Sequence, residues 1–283
     1  MNERKIIIIG AGIAGLAAGC YAQMNGYRSQ IFEMHDIPGG LCTAWEWKGY
    51  LFDGCIHYLF GSAEGQPFNH VWQELGAAQT RPMVNHDEFM RIIEPTGKSL
   101  IVLSDLDQLE EHMKALSPAD APLIQELMQT ARRFTRFDMS LMYQKPRALM
   151  GPLDWTRLGW KMMPFAKSTL QWARISAADL AQRFRDPFLR RAVPWMFAWP
   201  ETPVMVGLSL LAYLNTRNAG FPVGGSLAFA RAIEQRYLDL GGQIHYKSQV
   251  EKILVEGGQA IGVRLYNDDI HHADIVISAA DGR

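Results

Sequence analysis

The stretch KIIIIGAGIAGLAAG, residues 5–19, limits the fold more than any other part of this chain. It is an apolar run interrupted by glycines at 10, 12, 15 and 19. Such a run can be an export signal, a buried core segment, or the phosphate-binding turn of a dinucleotide fold. An export signal would use the basic start MNERK and a cleavage box at LAAGC, residues 16–20. That box is out of register by one position, and ordered glycines break the apolar segment a signal needs.

The dinucleotide reading makes more demands, and the sequence meets them. Residues 5–9 form a compact β-branched run, suited to a strand buried on both faces. Gly10, Gly12 and Gly15 follow at once as G-x-G-x-x-G. The first glycine makes the tight turn, the second lets backbone N–H groups approach a pyrophosphate, and the third lets a helix pack close to the strand. The positive end of that helix then faces the phosphate. Residues 16–26 read as the helix and residues 27–34 as a second strand ending on Glu33. That acid lies 18 residues past Gly15, where a carboxylate can accept from a ribose hydroxyl.

The rest of the composition narrows the class without naming an activity. Hydrophobic content of 48% with 20% charged residues fits a globular protein with a real core. A net charge of −1 gives no bulk attraction to nucleic acid or anionic membrane. The cysteines, Cys20, Cys42 and Cys55, show neither CxxC spacing nor an even disulfide framework, so the expected setting is reducing and cytoplasmic, with no metal site. The longest apolar stretches, at 6–19 and 204–214, fall short of the roughly 20 residues that span a bilayer.

Beyond Glu33 the chain reads HDIPGGLCTAWEWKGYLFDGCIHYLFG (35–61), a Pro-Gly-Gly turn and then an irregular, aromatic-rich segment. A simple NAD-binding fold would enter another crossover helix there. These residues resemble the FAD-dependent carotenoid desaturase/isomerase flavoproteins, the phytoene desaturase-like group related to retinol saturases, within the amine-oxidase-like superfamily. In that group an acid, a short spacer and a Gly-Gly pair form a second backbone cradle on FAD. The resemblance assigns it to Glu33, Met34, Gly39, Gly40 and Leu41, beside Gly10, Gly12, Ile13, Ala14 and Gly15 of the first loop.

The resemblance returns at GFPVGGSLAFARAIEQRYLDLGGQIHYKSQVEKILVEGGQAIGVRLYNDDIHHADIVISAA, residues 220–280. It implies a P-x-G-G turn, an amphipathic helix, a strand leading to a valine whose backbone meets adenine, a hairpin, and a strand returning to the main sheet. By position that valine is Val250. The residues agree: apolar Leu227, Ala230, Ile233 and Leu238 keep a helical period, Gly241–Gly242 ends the helix, and Gly257–Gly258 turns a hairpin. One departure counts against the amine oxidases, which commonly carry arginine after Gly-Gly where this chain has Leu41.

Between the two ends lies an insertion. EFMRIIEPTGKSLIVLS (88–104) reads as a hairpin turning at Pro95–Gly97, and S-x-x-D boxes at Ser104/Asp107, Ser117/Asp120 and Ser176/Asp179 mark helix starts. Leu123, Ile124, Leu127, Met128 and Ala131 form an apolar helical stripe. Residues 150–176 mix Trp155, Trp160, Met162, Met163, Phe165 and Trp172 with Arg157, Lys161, Lys167 and Arg174. They can fill a helical core, line an apolar substrate pocket, or lie on a membrane surface.

The fold expected is therefore α/β: a Rossmann-like FAD-binding domain in two parts, 1–85 and 220–283, with an inserted α+β substrate domain at 86–219. Family members continue past this point into a further substrate section and a glycine-rich flavin motif. The resemblance thus implies the N-terminal portion of a longer flavoenzyme, whose C-terminal half a second chain could supply. The activity implied is hydride transfer to or from an apolar conjugated substrate, by desaturation, saturation or isomerisation. The alternative is a non-catalytic binding protein of the same fold, as in GDP-dissociation inhibitors. Flavin chemistry needs no acid–base pair from the protein. His57 is the one catalytic candidate, and a structural histidine is the competing reading. Asp53 reads as a turn anchor or a base, Tyr58 as packing or substrate contact, and His271–His272 as solvated surface. Cys42 and Cys55 fall in the same stretch, with nothing to mark either as an activated thiol.

Overall fold

The protein is described from a computed structural model, which covers residues 4–66, 68–78, 81–138, 140, 145–197 and 199–281. Met1–Glu3 of the export-signal reading and the terminal Gly282–Arg283 lie outside the described residues. In chain order, β1 (Lys5–Ile9), α1 (Ile13–Met24) and β2 (Arg28–Phe32) come first. The hairpin strands β3 (Ala44–Trp47) and β4 (Tyr50–Asp53) follow, then β5 (Leu59–Phe60), α2 (Asn69–Glu74) and β6 (Met83–Val84). Next come β7 (Glu88–Ile93), β8 (Ser99–Leu103), α3 (Leu106–Leu116), α4 (Ala121–Phe134), α5 (Pro152–Trp172), α6 (Ala177–Ala181), α7 (Pro187–Met196) and α8 (Val204–Asn215). The described chain closes with β9 (Ala219–Pro222), α9 (Gly225–Asp239), β10 (Gln243–His245), β11 (Val250–Glu256), β12 (Gln259–Leu265), β13 (Ile270–His272) and β14 (Ile275–Ser278).

These elements form two compact units. The first is Met1–Leu59, Asn69–Val84 and Phe221–Arg283. Its centre is a parallel sheet in the order β10-β2-β1-β14. β1 is sandwiched, which is why its sequence is apolar throughout. Ile6 and Ile8 pack with Leu16 and Cys20 of α1 and with Phe229 and Ile233 of α9 on one face. Ile7 and Phe32 meet Val263 and Leu265 of the β11-β12-β13 sheet on the other. Gly19 lets α1 approach α9: a Cβ there would sit 2.7 Å from the Tyr237 ring, whose hydroxyl donates to the Ser29 carbonyl at 2.8 Å. His271 is no free surface group, since its ring lies 4.6 Å from that of Phe32.

The second unit is Phe60–Phe68 and Asn85–Gly220. Residues 60–68, expected with the first segment, belong here because Asn218 and Gly220 hold them. The Asn218 carbonyl accepts from Gly61 N–H at 3.1 Å, its side chain from Ala63 N–H at 3.0 Å, and Ser62 Oγ accepts from Gly220 N–H at 2.7 Å. β7 and β8 form the expected hairpin. α4 buries Ile124, Leu127, Met128 and Ala131 as its stripe requires.

Two of the three S-x-x-D boxes act differently from expectation. Ser176 and Asp179 do make a reciprocal capping box on α6. The cap of α3 is Asp105 rather than Ser104, whose hydroxyl donates to the His86 carbonyl. Asp120 ties Ser117 Oγ to the N–H groups of Arg185 and Asp186 instead of capping α4, so that the buried carboxylate is itself fully hydrogen-bonded. The core reading of 150–176 holds for Phe165, Ser168 and Trp172 alone of α5. Leu153, Trp155, Trp160, Met163 and Leu170 are exposed.

Candidate functional site

The site grows from the carboxyl end of β1. Gly10 takes φ +96°, a conformation that L side chains rarely adopt, and its N–H donates to the Phe32 carbonyl at 2.8 Å. Gly12 then caps α1 with an extended backbone and no side-chain hydrogen bond, leaving Ile13, Ala14 and Gly15 as the first helical turn. The N–H groups of a first turn have no intrahelical acceptor and carry the positive end of the helix dipole. Gly15 faces the loop: a Cβ there would stand 2.0 Å from the Gly10 carbonyl oxygen.

A second glycine loop closes on the first. Gly39 N–H donates to the Ala11 carbonyl at 2.8 Å, and Gly12 and Gly39 form an isolated parallel bridge. Gly39 has φ +107°, and a Cβ would meet the Cys42 carbonyl at 2.2 Å. Gly40 takes φ +58°, and a Cβ on it would contact the Gly12 Cα at 3.4 Å. No side chain on these glycines intrudes between the two loops.

Glu33 sits one residue past β2 and is buried. One carboxylate oxygen accepts from Ala11 N–H at 2.6 Å and the other from His35 N–H at 2.9 Å. The acid therefore braces the glycine loop from below. Each oxygen keeps a second lone pair for a further donor. Past Glu33 the chain meets the turn before β11, where the Glu33 and His35 carbonyls accept from Ser248 N–H and Lys247 N–H at 2.8 and 2.9 Å. A cavity of about 300 Å³ opens there, lined by Met34, Lys247, Ser248, Gln249, Leu265, Tyr266 and Asn267. Val250 starts β11, and its side chain packs inward with Ile7 and Phe32. A comparable cavity at Lys5, Arg28 and His272 lies at the opposite, amino end of β1 and β2.

Gly10, Gly12, Ile13, Ala14, Gly15, Glu33, Gly39 and Gly40 thus come together. Met34 borders the neighbouring cavity. Leu41 projects outward at 88% exposure, so its side chain is no part of the cradle wall. His57 is exposed and has no side-chain hydrogen bond among the described residues. Burial pushes the Tyr58 phenol up, which keeps it protonated at neutral pH.

Ala11 and Ser226 are the residues that motif reading missed. Ser226 N–H donates to Asp53 Oδ2 at 2.9 Å, and Ser226 Oγ accepts from Ile56 N–H at 2.7 Å. Asp53 therefore holds the first turn of α9, and no short-range spacing signals a bond between residues 173 apart.

Residues 8–75 match the NAD(P)-binding Rossmann-like domain family. Across 98% of its length the chain is 26% identical to a lycopene-forming phytoene desaturase of Paracoccus sp., covering 55% of that protein. Across 99% it is 25% identical to a chloroplastic prolycopene isomerase of Daucus carota, covering 46%. Over nearly its whole length the chain is thus similar to phytoene desaturases and prolycopene isomerases. It spans about half the length of these curated relatives. An oxidoreductase of Methanosarcina mazei shares the fold of this chain, with a TM-score of 0.59 at 23% identity, over 97% of this chain and 58% of that one. A putrescine oxidase shares it too, with a TM-score of 0.58 at 16% identity, over 98% and 58%. Among the described residues no helix is long and apolar enough to cross a membrane, and no cluster of ligands could hold a metal ion.

Proposed function

We propose that the two facing glycine loops hold FAD, and that the chain belongs to an oxidoreductase that moves hydride to or from an apolar, conjugated substrate. The carrying observation is the bridge between Gly12 and Gly39 above the buried Glu33 carboxylate. A dinucleotide fits there: the first turn of α1 has no side-chain cap, and no Cβ fills the space between the loops.

Each part of the cradle has a separate task in this reading. The N–H groups of Ile13, Ala14 and Gly15 hold the diphosphate at the positive end of α1. Glu33, fixed by Ala11 and His35, accepts from a ribose hydroxyl through its remaining lone pairs. Gly39, Gly40 and Leu41 offer backbone from the second side, Met34 borders the nucleoside, and the Val250 backbone meets the adenine. Flavin, when bound, supplies the hydride chemistry itself. No proton-transfer role falls to His57.

The names of the sequence relatives support a carotenoid-type substrate, with desaturation, saturation and isomerisation all within the reading. The exposed stripe of Leu153, Trp160, Met163 and Leu170 on α5, with Lys161 and Lys167 on the same helix, supports peripheral contact with a lipid surface as the source of such a substrate.

The visible spectrum of the purified protein, with the chromophore released and identified, tests the cofactor. Flavin bands yielding FAD support the reading, and a folded, colourless protein that takes up no FAD on reconstitution overturns it. Turnover of a polyene by the loaded protein supports the substrate class. Full flavin occupancy without activity on any polyene or retinoid removes that class and leaves the cofactor standing.

A further inference from the structure

The β3–β4 hairpin places two cysteines opposite each other at its base. Its register pairs Trp47 with Tyr50, Glu46 with Leu51, Trp45 with Phe52 and Ala44 with Asp53. The ladder runs one step further, with Gly54 N–H donating to the Thr43 carbonyl at 2.9 Å. Carried one step further, past the ends of both strands, the same register sets Cys42 opposite Cys55. Directly opposed residues of antiparallel strands have Cα atoms about 4.5–5.5 Å apart, inside the range a disulfide spans. Both thiols are free, and they lie within hydrogen-bonding reach of each other.

The two thiols sit in different surroundings. Cys55 is exposed, whereas Cys42 is buried and donates through Sγ to the Ser226 carbonyl at 3.3 Å. Burial, then the neighbouring Cys55 and Asp53, pushes the Cys42 thiol up to about 12. Cys42 lies two residues past Gly40, and the loop it closes with Cys55 carries Trp45, Trp47, Tyr50, Leu51 and Phe52, all exposed.

We propose that Cys42 and Cys55 are a reversible cross-strand disulfide site, a redox-responsive clamp at the base of this aromatic hairpin, oxidised by exchange with a low-molecular-weight disulfide. The Cys55 thiolate attacks one sulfur of the small disulfide, forming a mixed disulfide and releasing one small thiolate. Cys42, on losing its proton, attacks the Cys55 sulfur; the Cys42–Cys55 bond forms, the mixed bond breaks, and the second small thiolate leaves. The two protein thiols are oxidised, the small disulfide is reduced to two thiols, and the two protons end on those thiols. Disulfides in reducing compartments are of this transient, redox-sensing kind. The proposal stands on the hairpin alone and does not depend on the cofactor reading.

The experiment incubates the full chain with a series of reduced and oxidised glutathione ratios, quenches with acid, alkylates, and reads intact mass and peptide maps. The native protein is expected to lose two hydrogen atoms and to join the peptides holding Cys42 and Cys55, with Cys20 left out. Cys42→Ser should stop at a glutathione adduct on Cys55, and Cys55→Ser should form neither adduct nor bridge. The bridge should form in the folded chain at a glutathione ratio about tenfold less oxidising than in urea, because the register holds the thiols together. The closing step should quicken about tenfold per pH unit between pH 7 and 9, as the Cys42 thiolate fraction grows. A wild-type protein that accumulates the Cys55 adduct as Cys42→Ser does overturns the proposal. So does a bridge to Cys20, or equal oxidation in the folded and unfolded chains.

Discussion

Helices α1 and α9 begin alike in sequence and differ in what meets their first turns. Each follows a strand and has a glycine as its cap, Gly12 and Gly224, and neither carries an acid in its own first turn. At α9 the Asp53 carboxylate comes from β4 and accepts from Ser226 N–H. Its Oδ2 passes 2.3 Å from where a Cβ of Gly225 would lie, so the glycine there makes room for a protein carboxylate. At α1 the cap is Gly12, with no side chain on the turn. The same cue of glycines before a helix thus serves two ends: the first turn of α9 is met by a carboxylate of the chain, and that of α1 carries no side-chain cap, which in the proposed function leaves it to an anion. In the proposed function that anion is the diphosphate of FAD.

The largest effect should come from closing the gap beneath α1. Gly15→Ala puts a methyl 2.0 Å from the Gly10 carbonyl oxygen, and backbone cannot swing aside as a long side chain can. We expect a loss of about 3 kcal/mol in urea unfolding, the upper part of the range for overpacking, together with loss of FAD binding. A cost under about 1 kcal/mol would mean that α1 can lift from the sheet, and the comparison would lose one side.

Gly225→Ala attacks the other helix. The new residue must hold φ +75° and displace Asp53, so about 2 kcal/mol is expected from the left-handed strain and the crowded carboxylate together. Asp53→Ala removes the cap without strain and should cost about 1 kcal/mol, while Asp53→Asn, which keeps an acceptor, should recover part of it. In both Asp53 variants the FAD affinity of the folded protein should stay within about twofold, since the change touches only a helix cap. A tenfold fall in affinity for Asp53→Asn would put Asp53 in the cofactor site and dissolve the distinction.

This contrast also separates what the sequence displays from what it hides. The β1–α1–β2 unit could be read directly because its cues are local: a β-branched run, glycines at set spacing, and Glu33 at the end of the next strand. The Gly39–Gly40 loop could be placed only through family resemblance, for nothing within a few residues says that Gly39 reaches back to Ala11. Asp53 was legible as a turn anchor, but its partner Ser226 was not, because the bond is long-range and hydrophobic period carries no record of which acid caps which helix. α5 misled for a different reason. A Trp- and Met-rich helix has the same composition whether its apolar side is covered or open, and here Trp160 stands at 73% exposure while Trp172 is fully buried. The Ser117/Asp120 box failed because Asp120 accepts from the N–H groups of Arg185 and Asp186, a long-range pairing that local spacing does not record.

The sharpest test has the smallest effect on stability. Gly12 has φ −66°, which any residue can adopt, and a Cβ on it would lie 4.0 Å from its nearest neighbour, the Gly39 carbonyl oxygen. Gly12→Ala should therefore fold normally and cost no more than about 0.5–1 kcal/mol, the usual difference between glycine and alanine as a helix cap. The methyl group nevertheless enters the space between the two glycine loops, where the proposed diphosphate must approach backbone. FAD affinity, read by flavin fluorescence on titration, should fall at least about tenfold, equal to roughly 1.4 kcal/mol. If binding is unchanged, the glycine at position 12 is not kept clear for a ligand, and α1 has no better claim to the phosphate than α9. If binding falls while Asp53→Asn leaves it intact, the two helix starts have been separated by function as well as by form.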